Sequence, residues 1–488
     1  MGRRLLCLLA VWGSAWAQVP AKFTAAEERG RQIYLTGESA TGAAIQAEIS
    51  GGAVAGSMMP CGTCHGRDGK GTSEGGVTPS SIRWNDLARP YEVTSASGRK
   101  HAAYDERLFA RALTVGLDPA GNRLDQAMPR FRIGTQDAND LVAWLKRIGE
   151  NTAEGISGDG IVVGALLPLD AGSNGEAMRA ALAAYFEQVN RAGGIYGRRI
   201  DFRAVGLTGD RARRLEEARA FVESARPFTL VASYVSGFER EFAATLRQRE
   251  LPLVGAFTPW PVQEDPPNPE VFYLDGGLRG QAEALARFAV ARFADGPKRM
   301  AIAAGTEEIY RQAALAAEGV IKGAGWAVDS ASKLALVLRP VEGSGLLNDA
   351  GVRFLLPGVL AGEGTMESAA AREERLFLAY PTLPSDYEAG ASDEYAALAE
   401  RAGLPRKFVS AQLMALASAR LLVEGLEHGG RDLSRGKLVD ALENLFEFHT
   451  GFTAPLTFGP NRRIGYTGAR IVVRDAETGG LKPIAVQP

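Results

Sequence analysis

The sequence predicts two kinds of domain in one chain: an all-α domain as far as residue 150 and, from residue 160, an α/β domain of doubly wound parallel sheets. Three observations carry that reading. Before residue 150, apolar residues recur at helical spacing and capping residues mark the helix ends. After residue 160, short apolar runs alternate with amphipathic helical stretches, as strands joined by crossover helices do. Between them, residues 151–159 are mostly polar and turn-forming, a linker. A chain of 488 residues has room for about three domain-sized units. With a formal net charge of -2 and a pI near 6.2, it carries no basic field that would point to nucleic acid or an anionic membrane surface as partner.

The first 17 residues read as a signal peptide. Arg3 and Arg4 make a basic start, 5–12 is an apolar run too short to span a bilayer, and Ala15-Trp16-Ala17 is an A-x-A cleavage site. Cleavage after Ala17 leaves a periplasmic protein with no membrane span, and losing the two arginines takes its charge from -2 to -4. Cys7 leaves with the signal. Of three cysteines, only Cys61 and Cys64 stay, so no structural disulfide competes for them in an oxidising compartment.

Residues 18–150 form the first domain. Thr24-Ala25-Ala26-Glu27 is a capping box, so a helix is expected from Ala25 to the Thr36-Gly37 stop, with Gly30, Ile33 and Tyr34 on its buried face. Asp137 and Asp140 sit in the first turn of a second helix, Lys146 and Arg147 in its last, and Gly149 closes it. Leu141, Trp144, Leu145 and Ile148 form its apolar stripe. Gly30 is expected to admit an aromatic of that second helix at close range.

Between the helices stands Cys61-Gly62-Thr63-Cys64-His65. Two thiols three positions apart can add to the two vinyl groups of one porphyrin, and the following histidine then lies under the iron as proximal ligand. The pattern implies one covalently attached haem c. A thioredoxin-like dithiol lacks the histidine and needs a flanking strand-helix unit. A zinc site would want a second Cys/His pair, and the sequence has none.

With these landmarks and Met128-Pro129-Arg130-Phe131, residues 24–148 resemble a class I cytochrome c domain. The resemblance implies one-electron transfer at a six-coordinate iron. Met128, 63 residues after His65 and in a loop stiffened by Pro129, is the expected sixth ligand. Met58 and Met59 are too near Cys61 to reach the opposite haem face and are assigned to core packing. His101, the bis-histidine alternative, stands in a polar stretch expected to be exposed. By family position, the carbonyl of Pro79 should accept the ring N–H of His65. Arg83 and Trp84 are candidates to pair the haem propionates. Gly66 to Gly71 lacks the Lys-Ser/Thr ending of a phosphate loop and reads as turns. Residues 38–60 exceed the family's usual spacing; this insert carries Ile45 and Ile49 one helical turn apart, and a surface insert or a cover for the haem edge are both open.

From residue 160 the alternation is regular. An apolar run at 161–167 is a strand buried on both faces; Ser173-Asn174-Gly175-Glu176 caps a helix whose face includes Met178, Ala181, Leu182, Tyr185, Phe186 and Val189; Gly193-Gly194 ends it. Further strands are expected near 200–205, 230–233, 253–256, 271–274, 300–304, 353–356 and 376–379. Val163-Gly164-Ala165-Leu166-Leu167-Pro168-Leu169, the run Val189 to Arg199, and the Phe458 to Arg463 turn resemble the type I periplasmic binding proteins of the leucine/isoleucine/valine class. That resemblance covers 160–475 and implies two doubly wound lobes closing on a small ligand. Such a ligand belongs at the carboxyl ends of the strands. The helix start at Ser173, with Ser233, Ser236 and Thr258 as hydroxyl donors and Trp260 and Tyr310 as walls, makes a candidate pocket. Asp170 stands where the family usually offers a hydroxyl, and would repel an amino acid's carboxylate. Lobe two reads as shortened between Trp326 and Arg353.

These readings converge on an electron carrier that serves a periplasmic redox partner, a dehydrogenase or a terminal acceptor, with a fused module that senses a small molecule or docks the partner. The alternative is the solute receptor of an ABC importer, with a permease as partner. No catalytic triad or paired-carboxylate motif marks an enzyme, and a haem peroxidase would need an open iron position. His428 and His449 read as structural.

Overall fold

In a computed structural model, described for residues 23–484 except 50, 67, 72–78, 96–97, 149–153, 170–172, 265, 343–344 and 363, the helices of the first domain are α1 (Ala25–Thr36), α2 (Cys61–His65), α3 (Trp84–Leu87), α4 (Glu106–Val115) and α5 (Thr135–Arg147). Its strands are short: β1 (Gln46–Ile49), β2 (Gly52–Ala55), β3 (Val93–Thr94), β4 (Lys100–His101) and β5 (Arg130–Arg132). The expected signal peptide, Gly149 and Asp170 lie outside the described residues. The chain divides into two units, 1–154 and 155–488.

The capping box forms as the sequence predicts. Thr24 Oγ1 accepts from the Glu27 N–H at 3.3 Å and the Glu27 carboxylate accepts from the Thr24 N–H at 2.7 Å. Gly37, at φ +70°, ends α1. The α5 stripe Leu141, Trp144, Leu145 and Ile148 is buried against Ile33 and Tyr34. What Gly30 admits differs from the expectation: a Cβ there would lie 1.8 Å from the Asp140 carbonyl oxygen, so it is the backbone of α5, not an aromatic ring, that rests on the glycine. The two aspartates are tertiary anchors. Arg29 donates to both oxygens of buried Asp140 at 2.7 and 2.9 Å, and Ser39 Oγ donates to Asp137 at 2.7 Å.

The insert is a β-hairpin. β1 pairs antiparallel with β2 on one side and with β5 on the other, opposing Gln46 to Arg132, Ala47 to Phe131 and Glu48 to Arg130. An i, i+4 spacing fits one face of a strand as well as of a helix. Ile45 and Ala47 are buried and Ile49 half-buried, the alternation of a strand.

In the second unit, lobe one holds β6 (Gly160–Leu167), α6 (Asn174–Arg191), β7 (Arg199–Gly206), α7 (Arg211–Ala225), β8 (Thr229–Val231), α8 (Glu239–Arg249), β9 (Leu253–Val254) and β10 (Val271–Asp275). Lobe two follows with α9 (Gly277–Arg292), β11 (Arg299–Ala304), α10 (Glu308–Gly323), β12 (Ala327–Val328), β13 (Leu334–Leu338), β14 (Arg353–Pro357), α11 (Ala369–Arg372) and β15 (Leu376–Tyr380). The chain then returns through α12 (Ala391–Ala402), α13 (Val409–His428), α14 (Arg435–Glu443) and β16 (Ile464–Tyr466) to lobe one, and ends in β17 (Arg470–Arg474) and β18 (Leu481–Pro483) of lobe two.

The first sheet runs β16-β10-β9-β8-β6-β7 with every described pair parallel; the second runs β12-β11-β13-β14-β15-β17-β18, antiparallel only at β15-β17-β18. Every strand expected from the sequence is present. The stretch read as a shortening of lobe two contains β13, all five residues buried, an interior strand of that sheet. Helix α13 is long and apolar enough to cross a membrane, yet most of it is buried in the protein, where it packs on α6 and α14. Residues 155–159 belong to this second unit: Gly155 O accepts from Val162 N at 2.7 Å and Asp159 O from Arg199 N at 2.8 Å. The linker expected at 151–159 is shorter for it.

Candidate haem site and ligand cleft

One short helix, α2, presents the whole Cys-x-x-Cys-His motif. Cys64 is exposed and Cys61 half-buried; burial pushes the Cys61 thiol up to about 12, so it is held protonated. His65 is 8% exposed, and its Nδ1 lies 2.9 Å from the Ser80 carbonyl oxygen. A carbonyl only accepts, so Nδ1 carries the proton and Nε2 keeps its lone pair. Burial lowers the imidazole pKa while the carbonyl opposes that, and the neutral ring is the form a metal needs. The acceptor is thus one residue beyond Pro79, where the sequence reading places it. The Pro79 carbonyl instead presses on Gly71, where a Cβ would come within 2.2 Å of it at φ +90°. Gly66, Gly69 and Gly71 all take positive φ, and Asp68 Oδ1 accepts from Lys70 N at 3.1 Å, the turn chemistry expected of this loop. Tyr34 Oη closes it by donating to Gly66 O at 2.6 Å.

Arg83 and Trp84 have protein partners. Arg83 donates to Asp68 O at 2.7 Å and to its carboxylate at 2.9 Å; Trp84 meets Phe109 edge-on at 6.2 Å and has Lys146 over its face at 5.3 Å. His101 is buried rather than exposed, its Nδ1 on Ala102 O at 2.9 Å and its ring edge-on to Tyr104 at 5.1 Å. Of the methionines, Met128 and Met59 pack partly buried against the domain's core, whereas Met58 is 70% exposed, so core packing does not account for it.

A narrow crevice with a cavity volume of only about 10 Å³ adjoins Cys61, walled by Ile33, Ile45, Met59, Leu113, Phe131 and Leu141. These residues fit a haem: two thiols on one helix, a neutral imidazole with its lone pair free, and an apolar wall. Among the described residues, no group of three or more His, Cys, Asp or Glu side chains gathers to bind a bare metal ion.

The candidate pocket of the second unit is less coherent. Ser173 caps α6: its Oγ donates to Pro168 O at 2.6 Å and accepts from Glu176 N at 3.3 Å. Ser233 is wholly buried, donating to Val231 O and accepting from Leu166 N, both at 3.1 Å, so it braces β6 against β8. Thr258 Oγ1 donates to Glu239 at 2.5 Å and accepts from Trp260 N at 3.0 Å. Trp260 and Tyr310 pack against the core of lobe two. Of the four candidate hydroxyls, only that of Ser236, half-buried in the turn between β8 and α8, makes no hydrogen bond among the described residues. The sequence did not signal Glu239 or Asn174, which donates to Tyr234 Oη at 3.0 Å beside Ser173. Strand-end hydroxyls are common, and only the folded chain shows which are already consumed.

The cytochrome c family model matches residues 50–149 and the periplasmic binding protein family model residues 160–334. No curated relative matches the chain. Among solved structures, it is similar to a periplasmic binding protein type 1 from Bordetella pertussis Tohama I, at 16% identity and a TM-score of 0.54, over 67% of this chain and 100% of that one. It is similar to a branched-chain amino acid ABC transporter protein of Thermus thermophilus with bound valine, at 14% identity and a TM-score of 0.53, over 67% and 95%. An ABC transporter substrate-binding protein of Desulfitobacterium hafniense in complex with Leu follows at 17% identity and a TM-score of 0.52, over 67% and 100%. At such identities these likenesses establish the fold. The chain therefore joins a cytochrome c domain to a type I periplasmic-binding-protein domain.

Proposed function

We propose that the protein is a periplasmic c-type cytochrome that carries one electron at a time, and that its second domain senses a small molecule or docks a redox partner. The observation that carries the reading is His65, buried and neutral, with Nδ1 spent on Ser80 and Nε2 left to ligate, on the helix that bears both thiols. A haem c held there supplies a one-electron iron couple. Cys61 and Cys64 would hold one haem covalently. His65 would be its proximal ligand, and Met128 would fill the position a peroxidase leaves open, so the protein acts as a carrier and not as an enzyme.

Both domain types occur in exported proteins, and the basic, apolar start ending Ala15-Trp16-Ala17 supports cleavage after Ala17. Likeness to substrate-binding proteins of ABC transporters, some solved with valine or leucine, supports a second reading as an importer's receptor that works with a permease.

Visible spectroscopy tests the carrier. The ferric protein should show a methionine-to-iron charge-transfer band that Met128→Ala abolishes, and peroxidase turnover should appear only in the variant. A wild-type protein without the band, or one unchanged by the substitution, overturns six-coordinate electron transfer. Calorimetric titration of the full chain with valine and leucine tests the receptor.

A further inference from the structure

We propose that Arg130 and the hairpin β1-β2 form a clamp that positions the Met128 loop and resists displacement of the thioether from iron, an inference that rests on Met128 being the sixth ligand. The guanidinium gathers the loop from inside. Nη2 donates to Leu124 O at 3.1 Å and to Asp125 O at 3.2 Å, and Nη1 donates to the carbonyl of Met128 itself. Its seat is Gly116, at φ +78°, where a Cβ would lie 1.9 Å from Arg130 Nε; any other residue would evict the arginine. The loop's remaining bonds close the same turn, Met128 N on Asp125 O at 3.2 Å and Leu124 N on Gly116 O at 2.8 Å.

The insert completes the clamp from outside. Arg130 begins β5, and its backbone opposes Glu48 of β1; Arg132 in the same strand forms an ion pair with Glu48. Ala47 and Phe131, opposite each other, are both buried, and Ile45 lines the cavity beside Cys61. The hairpin's base is closed by Gly56 N, which donates to Ile45 O at 2.8 Å, and rests on the end of α1, where Gly37 meets the Gly56 carbonyl so closely that a Cβ would lie 2.0 Å from it. A strand inserted far earlier in the sequence thus fixes the three residues after Pro129, Arg130 to Arg132, by main-chain pairing, and so restricts how far Met128 can swing. The distance in sequence is 130 - 48 = 82 for the pair that begins the ladder.

The test uses the full-length haem-loaded protein in three forms: wild type, Arg130→Gln, and an excision of 46–55 with two glycines joining Ile45 to Gly56, whose backbones already touch. Imidazole is titrated into each ferric protein, and the charge-transfer band is followed as pH is raised. The clamp predicts that both variants keep the band at neutral pH, bind imidazole about tenfold more tightly, and lose the band at lower pH, since about 1.4 kcal/mol of loop restraint is a factor of ten. Arg130→Lys should recover part of the loss. Wild-type imidazole affinity and pH midpoint in Arg130→Gln, with the band present, overturn the clamp while leaving Met128 as ligand. A wild-type protein whose spectrum Met128→Ala does not change overturns the ligand assignment, and the clamp with it. Should the excision fail to fold, Arg130→Gln alone decides.

Discussion

The two domains place their functional groups by opposite routes. In the first, two thiols and an imidazole occupy five consecutive residues on one helix, so covalent spacing alone sets their geometry. In the second, the candidate hydroxyls come from the ends of separate strands, and whether they meet a ligand depends on every neighbour that competes for them. The competition is visible: Ser173, Ser233 and Thr258 each bond within the protein, whereas His65 spends one nitrogen and keeps the other. A motif close in sequence survives folding intact; a site assembled from distant residues is decided by it.

The largest expected effect bears on the local site. A Cys61→Ala, Cys64→Ala double variant should lose haem entirely on a denaturing gel stained for haem, whatever non-covalent haem it retains when folded. Retention of stain would break the assignment of both thiols. No single substitution in the second domain should have so complete an effect, because no one residue there carries its site.

Next come two glycines that separate a rigid contact from an adaptable one. Gly30→Ala drives a methyl into the Asp140 carbonyl, which is backbone and cannot rotate away, and should cost about 3 kcal/mol in calorimetric melts of the full chain. Gly425→Ala in α13 meets only the side-chain ends of Leu438 and Leu442 at 2.8 Å. Those can shift, and alanine gains about 1 kcal/mol of helix propensity, so the net change should stay within about 1 kcal/mol. Equal losses at the two sites would mean that the helix pair of the first domain can slide.

Serine substitutions sharpen the contrast within lobe one. Ser233→Ala leaves the Leu166 N–H buried without its side-chain acceptor and should cost about 2 kcal/mol in urea unfolding. Ser236→Ala, with no bond to lose, should change stability by less than about 0.5 kcal/mol. A neutral Ser233→Ala would return that hydroxyl to the ligand cleft.

Much of the fold was legible in the sequence, because capping residues and apolar periodicity are local signals. The capping box at Thr24, the α5 stripe and the strand-helix alternation of the second domain all appear where those signals place them. Three features were hidden for identifiable reasons. Ile45 and Ile49 satisfy helix and strand periods alike, so the hairpin could not be told from a helix until β5 supplied its partner. The acceptor of the His65 ring is a backbone carbonyl, which any residue carries, so sequence could locate the loop but not choose Ser80 over Pro79. Asp140 looked like a helix-dipole residue because Arg29, its bidentate partner, lies 111 positions away. The run 334–338 is different: five apolar residues were in plain view, and only the assumption of a truncated lobe obscured β13.

The smallest effect concerns pH and again divides the domains. Asp118 of the first domain is fully buried; burial pushes its carboxyl up, but Asn122, through its side chain at 3.1 Å and backbone N–H at 2.8 Å, and Arg99 at 2.8 Å together hold it below the usual carboxylate range. Its folded state therefore binds a proton less readily than the unfolded chain. The stability it contributes is present above the unfolded value near 3.8 and is lost as pH falls below it through the folded value. Asp275, at the end of β10, is the reverse: burial raises its carboxyl above 3.8, with only the Gly277 N–H at 2.8 Å pulling it down. Its contribution is present below 3.8 and is lost as pH rises through the raised value. Between neutral pH and pH 4, acidification should relieve a cost in the second domain and leave the Asp118 contribution to the first untouched; below pH 3.8 the first domain should begin to lose it. Calorimetry of the full chain, with the first domain's transition identified by its Soret absorbance, checks both. Asp118→Asn should lower that transition by about 1 kcal/mol at pH 7 and flatten its acid limb, whereas Asp275→Asn, which keeps an acceptor for Gly277 and removes the buried charge, should raise the other transition at pH 7 and leave it unchanged near pH 3. The same direction of change in both variants would show that the two carboxylates are not held by opposite forces.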